Sequence, residues 1–359
     1  MNSTLLDSSF AQLIASFLKP TPLKIISAIS ADGRLHMIDA ESGTVAFSTF
    51  VRGRPVFRMA CSPSGAIVIG CRDQLQLFKV DSFDAVVRSV GAITRIRGAT
   101  AIAFSPDGQS VAVGCEVPTA VAVHDRRIHD EYDRAVALLA ELGDSIPSVA
   151  LTPFNRRNFY IVQVESFATA VEMHIRSAAR CIAHAPCGQI IAIGHAHGLE
   201  IIQPASRPVI RRRLATDHVE RVAFSPCGQK VAAVDDIGNA VLIDLHTGNR
   251  ISVVPLPGGI KSLYFQPGGQ IVEASCYNGS RYNGSHLVMV DTSVGVIVRS
   301  IALSPVNAPW RRCVHALDRN TIAVGCVDGC VYKFDANTGE IIHNVKLGTR
   351  CVTGVAYLH

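Results

Sequence analysis

Two pairs of side chains in this sequence have the types and spacing from which a catalytic or metal site can be built. His195 and His197 are two imidazoles in one extended segment, a spacing that suits a shared metal ion. No Asp, Glu or Cys follows at a fixed spacing to complete that site. Asp235 and Asp236 are adjacent carboxylates that precede Gly238, and Asp is favoured in turns for its own reasons. Both pairs are therefore interpreted as polar residues of loops and turns rather than as a catalytic or metal site.

The cysteines also favour a structural role. The chain has 11 cysteines, an odd number, and no Cys-x-x-Cys motif. Cys71, Cys115 and Cys326 each end the second strand of a repeated unit, where a free cysteine behaves as a small buried hydrophobe. No glycine-rich phosphate loop or nucleophile elbow is present. We therefore predict no catalytic residues, no metal and no cofactor.

A repeated sequence motif, called here the phrase, determines where these residues fall in the chain. Its clearest copy, at 104–115, reads Phe-Ser-Pro-Asp-Gly-Gln-Ser-Val-Ala-Val-Gly-Cys, an apolar strand, a tight turn and a second strand. Further copies lie at 60–71, 184–195, 224–234 and 265–275, with weaker ones at 151–154 and 316–326. Dividing the ~340 residues after the N-terminal segment by a period of about 42 gives about eight units. A repeat of this length indicates an all-β propeller, with eight blades favoured and seven as the alternative.

The two ends of the chain complement each other. The segment 350–358 matches the first strand of a unit, and the unit that starts near Leu23 lacks that strand. We predict that the C-terminal strand joins the first blade and closes the ring. Residues 1–22 are predicted to form an amphipathic helix and linker, which either packs on the domain or docks to a partner or a membrane surface. The predicted propeller spans 23–359, with approximate blades at 23–50 plus 350–358, 55–90, 99–142, 146–175, 178–215, 219–256, 260–303 and 312–347.

The chain resembles the WD-repeat β-propeller family. The resemblance rests on the Phe-Ser-Pro-Asp/Cys-Gly turns and on third strands that end in Asp, at 35–39, 121–125, 241–244, 287–291 and 331–335. Where the family has Trp before that Asp, this chain has Ile, His, Val or Phe. The resemblance covers roughly 23–358 and implies the fold, while it says little about function.

Composition limits the classes of function. Of the 359 residues, 48% are hydrophobic and 18% charged, which favours a well-buried core over disorder. No apolar run approaches the ~18 residues of a membrane span, and no export signal is recognisable, so we predict a cytoplasmic protein. The net charge of +5 permits an acidic partner without requiring nucleic acid. The predicted partners are other proteins, with this chain as a subunit of a complex.

The first functional hypothesis is an arginine-rich arc on one face of the ring. That face carries the connections between blades and the loops between second and third strands. The predicted partner-binding residues there are Arg52, Arg54, Arg72, Arg95, Arg97, Arg281, Trp310, Arg311, Arg312 and Arg350, with Tyr277 and Tyr282 as further aromatic anchors. Arginine forms bidentate contacts to carboxylate and phosphate, so this arc predicts an acidic or phosphorylated protein segment as partner.

An acidic arc is predicted on the other side of the same face. Its members come from the third to sixth blades and are Asp144, Glu165, Asp217, Glu220, Asp235 and Asp236. The face would then be polarised, with positive and negative halves.

The second hypothesis concerns membranes. The segment 210–213, Ile-Arg-Arg-Arg, resembles the Phe-Arg-Arg-Gly phosphoinositide signature of PROPPIN propellers. That resemblance implies phosphoinositide binding by Arg211 and Arg212, although Arg213 stands where that family has Gly. The alternative is a basic strand at a blade edge, where charge discourages edge-to-edge pairing.

Overall fold

All regular structure in the described part of the chain is β-strand. The computed structural model describes residues 24–52, 58–80, 87–94, 96, 98–116, 157–166, 168–175, 177–204, 210–214, 218–256, 259–265, 271–277, 286–303, 311–316, 320–348 and 351–358. The predicted N-terminal helix lies outside these residues. No helix within these ranges is long and apolar enough to cross a bilayer.

The strands form seven four-stranded antiparallel sheets. The first four sheets contain, in chain order, β1 (Ile25–Ser30), β2 (Arg34–Asp39), β3 (Val45–Phe50); β4 (Arg58–Cys61), β5 (Ala66–Gly70), β6 (Leu75–Val80), β7 (Val87–Ile93); β8 (Ala99–Phe104), β9 (Ser110–Glu116), β10 (Arg157–Gln163), β11 (Thr169–His174); and β12 (Ala179–His184), β13 (Ile191–His195), β14 (Gly198–Gln203), β15 (Ile210–Leu214). The other three contain β16 (Val219–Phe224), β17 (Lys230–Asp235), β18 (Asn239–Asp244), β19 (Arg250–Pro255); β20 (Gly259–Phe265), β21 (Ile271–Tyr277), β22 (His286–Asp291), β23 (Val296–Ala302); and β24 (Arg311–Ala316), β25 (Thr321–Cys326), β26 (Cys330–Asp335), β27 (Ile341–Lys346).

The last strand, β28 (Val352–Leu358), completes the first sheet. It pairs antiparallel with β1, with Tyr357 opposite Ile26 and Val355 opposite Ala28. The first strands of the sheets, here called the inner strands, are β28, β4, β8, β12, β16, β20 and β24. Each contacts the inner strand of the next sheet, and β24 contacts β28. The two ends of the described chain therefore meet in one sheet.

The third sheet differs from the sequence prediction. β9 pairs with β10, with Val113 opposite Tyr160, so strands from the predicted blades 99–142 and 146–175 belong to one sheet. The described residues thus form seven sheets, which is the alternative count rather than the favoured eight. The predicted third strand at 121–125 lies in 117–156, outside the described residues. Dividing the chain by a constant period counted the long connection between β9 and β10 as part of an extra unit.

The repeated phrase forms the tight turn that the sequence predicts. Ser105 Oγ accepts a hydrogen bond from the Ser110 amide at 2.9 Å and donates one to Asp107 Oδ1 at 2.5 Å. Gly108 has φ +70°, a left-handed conformation that favours glycine. These bonds hold the Asp107 pKa below its usual value, the Ser105 hydroxyl being the largest cause. The phrase is therefore a structural junction between the first and second strands of a sheet.

The aspartates that end the third strands are also structural. Asp39 Oδ1 accepts hydrogen bonds from the amides of Glu41 and Ser42 at 3.0 and 2.6 Å, and Asp335 Oδ1 does so from those of Asn337 and Thr338 at 2.6 and 2.9 Å. Asp244 and Asp291 cap the equivalent turns. This is the Asx-turn chemistry that side-chain carboxylates supply to backbone amides. These carboxylates are thus occupied in holding turns.

Glycine near the end of the second strand lets neighbouring sheets approach. A Cβ built on Gly70 would lie 2.6 Å from Ala99 Cβ and 2.8 Å from Ile102 Cδ1, both on the next inner strand. We expect Gly70→Ala to lower the free energy of unfolding by about 1–3 kcal/mol, the usual cost of overpacking. Urea denaturation measures it. Gly348→Ala is the control, because nothing lies within 4 Å of its Cβ position; equal losses in both variants would contradict the packing argument.

Candidate functional site

Strand connectivity defines two faces of the molecule. In each sheet the first-to-second and third-to-fourth strand turns lie at one end, called here the turn face. The second-to-third strand loops and the connections between sheets lie at the other end, called the loop face. The assignment follows from the antiparallel order of the strands within each sheet. The predicted arginine arc belongs to the loop face.

Two arginines of the predicted arc have described side-chain environments. Arg52 and Arg72 are both exposed on the loop face. Gln74 Nε2 donates to the Arg52 carbonyl at 2.7 Å, and the Gly98 amide donates to the Arg72 carbonyl at 3.0 Å. The backbones that carry these arginines are therefore fixed to neighbouring loops, while their guanidinium groups project to solvent.

The other members of the arc are placed in part or not at all. Arg311 and Arg312 open β24, so their backbones lie at the loop face. Tyr277 ends β21 at that same face. Outside the described residues lie Arg54, Arg95, Arg97, Arg281, Trp310 and Arg350, together with Tyr282.

The predicted acidic arc needs correction. Glu165 lies between β10 and β11, on the turn face, because the Val164 amide donates to the Gln109 carbonyl at 2.8 Å beside the phrase turn. The misplacement follows from the extra blade, which made this turn a loop between second and third strands. Glu220 is ion-paired with Arg180.

Two of the remaining predicted acids have nearby partners, and two lie outside the described residues. Asp235 accepts hydrogen bonds from the amide and side chain of Asn239 at 2.6 and 2.8 Å, so it holds its own turn. Asp236 lies 3.7 Å from His218 Nδ1. Asp144 and Asp217 lie outside the described residues.

Sequence reasoning missed three basic residues of the inner strands, while it had singled out Arg311 and Arg312 on β24. Arg58, Arg180 and Arg221 lie near the loop-face ends of β4, β12 and β16. Arg58 and Arg221 each lie five residues before the proline of the phrase, at Pro63 and Pro226. That shared spacing was the available signal, because alignment on the proline gives both residues the same position in the ring.

The histidine pair is a structural element of a turn. The His197 amide donates to His195 Nδ1 at 3.1 Å, and Nε2 of the buried His195 lies 3.8 Å from Glu200 Oε2. The rings are 6.2 Å apart and edge-on. Within the described ranges no group of three His, Cys, Asp or Glu side chains could hold a metal ion. The arrangement stabilises the short β13–β14 connection.

The three cysteines singled out from the sequence occupy equivalent buried positions. Cys71 directly follows β5, Cys115 is the penultimate residue of β9 and Cys326 ends β25, and all three are buried. Burial raises the pKa of Cys71 and Cys115 to about 12. Neutral thiols at physiological pH are poor metal ligands and nucleophiles, so packing accounts for these residues.

The predicted phosphoinositide segment is an edge strand. β15, which carries Arg211 and Arg212, is the outermost strand of its sheet and pairs only with β14 among the described strands. A row of arginines on such a strand discourages pairing with another chain. The backbone position thus agrees with the edge-strand alternative.

Comparisons with known proteins identify the fold. No protein-family model matches the chain, and no curated protein sequence matches it. A functionally unknown protein from Desulfotomaculum acetoxidans has a similar structure, with TM-score 0.67 and 10% identity over 93% of this chain and 99% of that one. The β-propeller domain of Myceliophteria thermophila Cps50 (Swd1) gives TM-score 0.61 and 10% identity over 83% and 88%.

A third similar structure is an enzyme. Dihydro-heme d1 dehydrogenase NirN, in complex with DHE, gives TM-score 0.59 and 15% identity, over 92% of this chain and 65% of that one. Identities this low establish the fold and no more. The protein has a β-propeller fold.

Proposed function

We propose that this protein is a non-enzymatic interaction scaffold that binds acidic or phosphorylated protein segments through its loop face, as a cytoplasmic subunit of a complex. The observation that carries the proposal is the exposure of Arg52 and Arg72 on loops whose backbones are fixed. A fixed backbone and the planar donor geometry of arginine both reduce the entropy that is lost on binding carboxylate or phosphate. The start of β24, with Arg311 and Arg312, adds basic residues to the same face.

The proposal also covers the number of blades and the closure of the ring. We propose a seven-bladed ring of the WD-repeat type, closed by β28. The pairing of β28 with β1 and the contacts that link successive inner strands support it. A ring closed by strand pairing is a rigid frame, so the loops on its faces can vary without loss of the fold.

Charge reversal tests the function. We expect Arg52→Glu/Arg72→Glu to weaken binding of a Ser- and Glu-rich peptide, in plain or phosphorylated form, by about tenfold, equivalent to ~1.4 kcal/mol. Fluorescence anisotropy with the labelled peptide measures the dissociation constant. The matched control is Arg88→Glu/Arg299→Glu, with the same charge change on exposed positions of the outermost strands β7 and β23.

Comparison with the control variant shows which results would contradict the proposal. Equal weakening in both variants would show a general charge effect and contradict the proposed face. Flotation of the wild type with phosphoinositide vesicles, lost on Arg211→Glu/Arg212→Glu while peptide binding is absent, would favour the membrane alternative instead.

A further inference from the structure

The net charge of this protein is concentrated on its seven inner strands. Of the 34 Lys and Arg residues, six lie on these strands, and of the 29 Asp and Glu residues only one does, so the rest of the chain is balanced at 28 of each. The inner-strand residues are Arg58, Arg180, Arg221, Lys261, Arg311, Arg312 and Glu220. The inner strands therefore carry a net charge of +5, equal to that of the whole chain.

All of these residues lie at one end of the strands. Each is among the first three residues of its inner strand, and every inner strand begins at the loop face. The inner strands contact one another in sequence around the ring. In the proposed ring, these charged positions surround the loop-face mouth of its central channel, called here the basic mouth.

Three arginines of the basic mouth have described contacts. Arg58 Nε donates to the Thr100 carbonyl at 2.6 Å, and Arg221 Nη1 donates to the Glu220 carbonyl at 2.6 Å. Arg180 is ion-paired with the Glu220 carboxylate, from which Arg221 Nη1 is 4.0 Å away. The Glu220 carboxylate thus lies near two guanidinium groups.

Arg58 and Arg221 both reach solvent, while the protein around them partly desolvates their guanidinium groups. Arg58 is exposed and the Arg221 side chain is 29% exposed, yet burial lowers the pKa of both guanidinium groups. The positive charge of Arg221 lowers the Arg58 pKa further. The nearby Cys181 thiol stays neutral because burial raises its pKa to about 12. Accessible cations that protein surrounds attract an anion more strongly than cations on an open surface.

We propose that the basic mouth binds a compact anionic ligand with several phosphate or carboxylate groups, held by Arg58, Arg180 and Arg221. Such a ligand offsets the repulsion between the arginines and meets planar donors on three inner strands. Strand positions fix these donors more firmly than loops do, which favours a compact ligand over a flexible one. The site is separate from Arg52 and Arg72 and does not depend on a protein partner.

Calorimetric titration of the full chain with tripolyphosphate and with citrate tests the site. We expect saturable binding of at least one probe, weakened at least tenfold by Arg58→Gln/Arg221→Gln. The matched control, Arg88→Gln/Arg299→Gln, removes the same charge from the outer strands and is expected to bind as the wild type does. Preference for tripolyphosphate assigns the ligand as a polyphosphate, and preference for citrate assigns it as a polycarboxylate.

A second variant gives an effect of opposite sign. Glu220→Gln removes the one carboxylate of the inner strands, so we expect it to tighten probe binding several-fold. This gain in affinity can be measured even if the Arg58→Gln/Arg221→Gln variant fails to fold. No binding of either probe, equal loss in the control variant, or weaker binding by Glu220→Gln would overturn the proposal. Peptide binding lost on Arg52→Glu/Arg72→Glu would still support the scaffold function in that case.

Discussion

Removal of residues 351–359 is expected to abolish the cooperative folded state. The deletion takes away β28, which pairs with β1 and contacts the inner strands β4 and β24. Val352, Val355 and Ala356 are buried, and every residue of β1 is buried as well. The lost ladder bonds stabilise by about 1 kcal/mol each and each buried valine by about 1.5–3 kcal/mol. That total rivals the ~5–15 kcal/mol stability of a whole domain.

Complementation in trans separates loss of this strand from general damage. We expect a peptide of residues 350–359, added to the truncated chain, to restore a single thermal transition, measured by circular dichroism. The matched control is the same peptide with Val352→Asp and Val355→Asp, which places charge at buried positions and should not restore it. A truncated chain that melts at the temperature of the full chain would contradict a closing role for β28.

Truncation of Phe334 is expected to cost about 3–5 kcal/mol of unfolding free energy. Its ring is fully buried in the cluster that joins the sheets of β22 and β26, against Met289, Ile322 and Val324 among others. The close packing around it leaves the neighbouring side chains little room to collapse, so Phe334→Ala leaves a cavity. Urea denaturation followed by far-ultraviolet circular dichroism measures the loss.

Phe50→Ala is the matched control for that loss. Phe50 is 60% exposed, and its described contact is with Arg34, whose guanidinium carbon lies 4.1 Å from the ring centre. Removal of such an exposed cation–π contact costs about 0.5–1 kcal/mol. If Phe50→Ala destabilised the protein as much as Phe334→Ala, the core assignment would be wrong.

Local chemistry explains why much of the fold was predictable. The Ser-Pro-Asp-Gly turn is built from contacts within six residues, such as the bond from the Ser110 amide to Ser105 Oγ. The capping of turns by Asp39 and Asp335 is equally local. Short-range bonds of this kind are determined by residue type, so the strands and turns that they join could be read along the chain.

The candidate sites were harder to predict, because they depend on contacts between residues that are far apart in the sequence. A constant period predicts two blades for β8 to β11, which form one sheet, and therefore predicts the wrong face for Glu165. The pairing of β9 with β10 crosses residues 117–156 and is decided by burial between sheets, which no local pattern records. The same limit concealed the basic mouth, whose arginines are far apart along the chain.

The sequence by itself determined that this chain is a repeat of short antiparallel strands with Ser-Pro-Asp-Gly turns, because those features arise from bonds between near neighbours. The pairing of β28 with β1 agrees with the prediction made from the complementary ends of the chain. Only the tertiary structure decided that the described strands make seven sheets, because the pairing of β9 with β10 joins segments that are far apart along the chain. In the proposed ring, equivalent positions of the repeats come to a common axis, which would gather Arg58, Arg180 and Arg221 around one mouth.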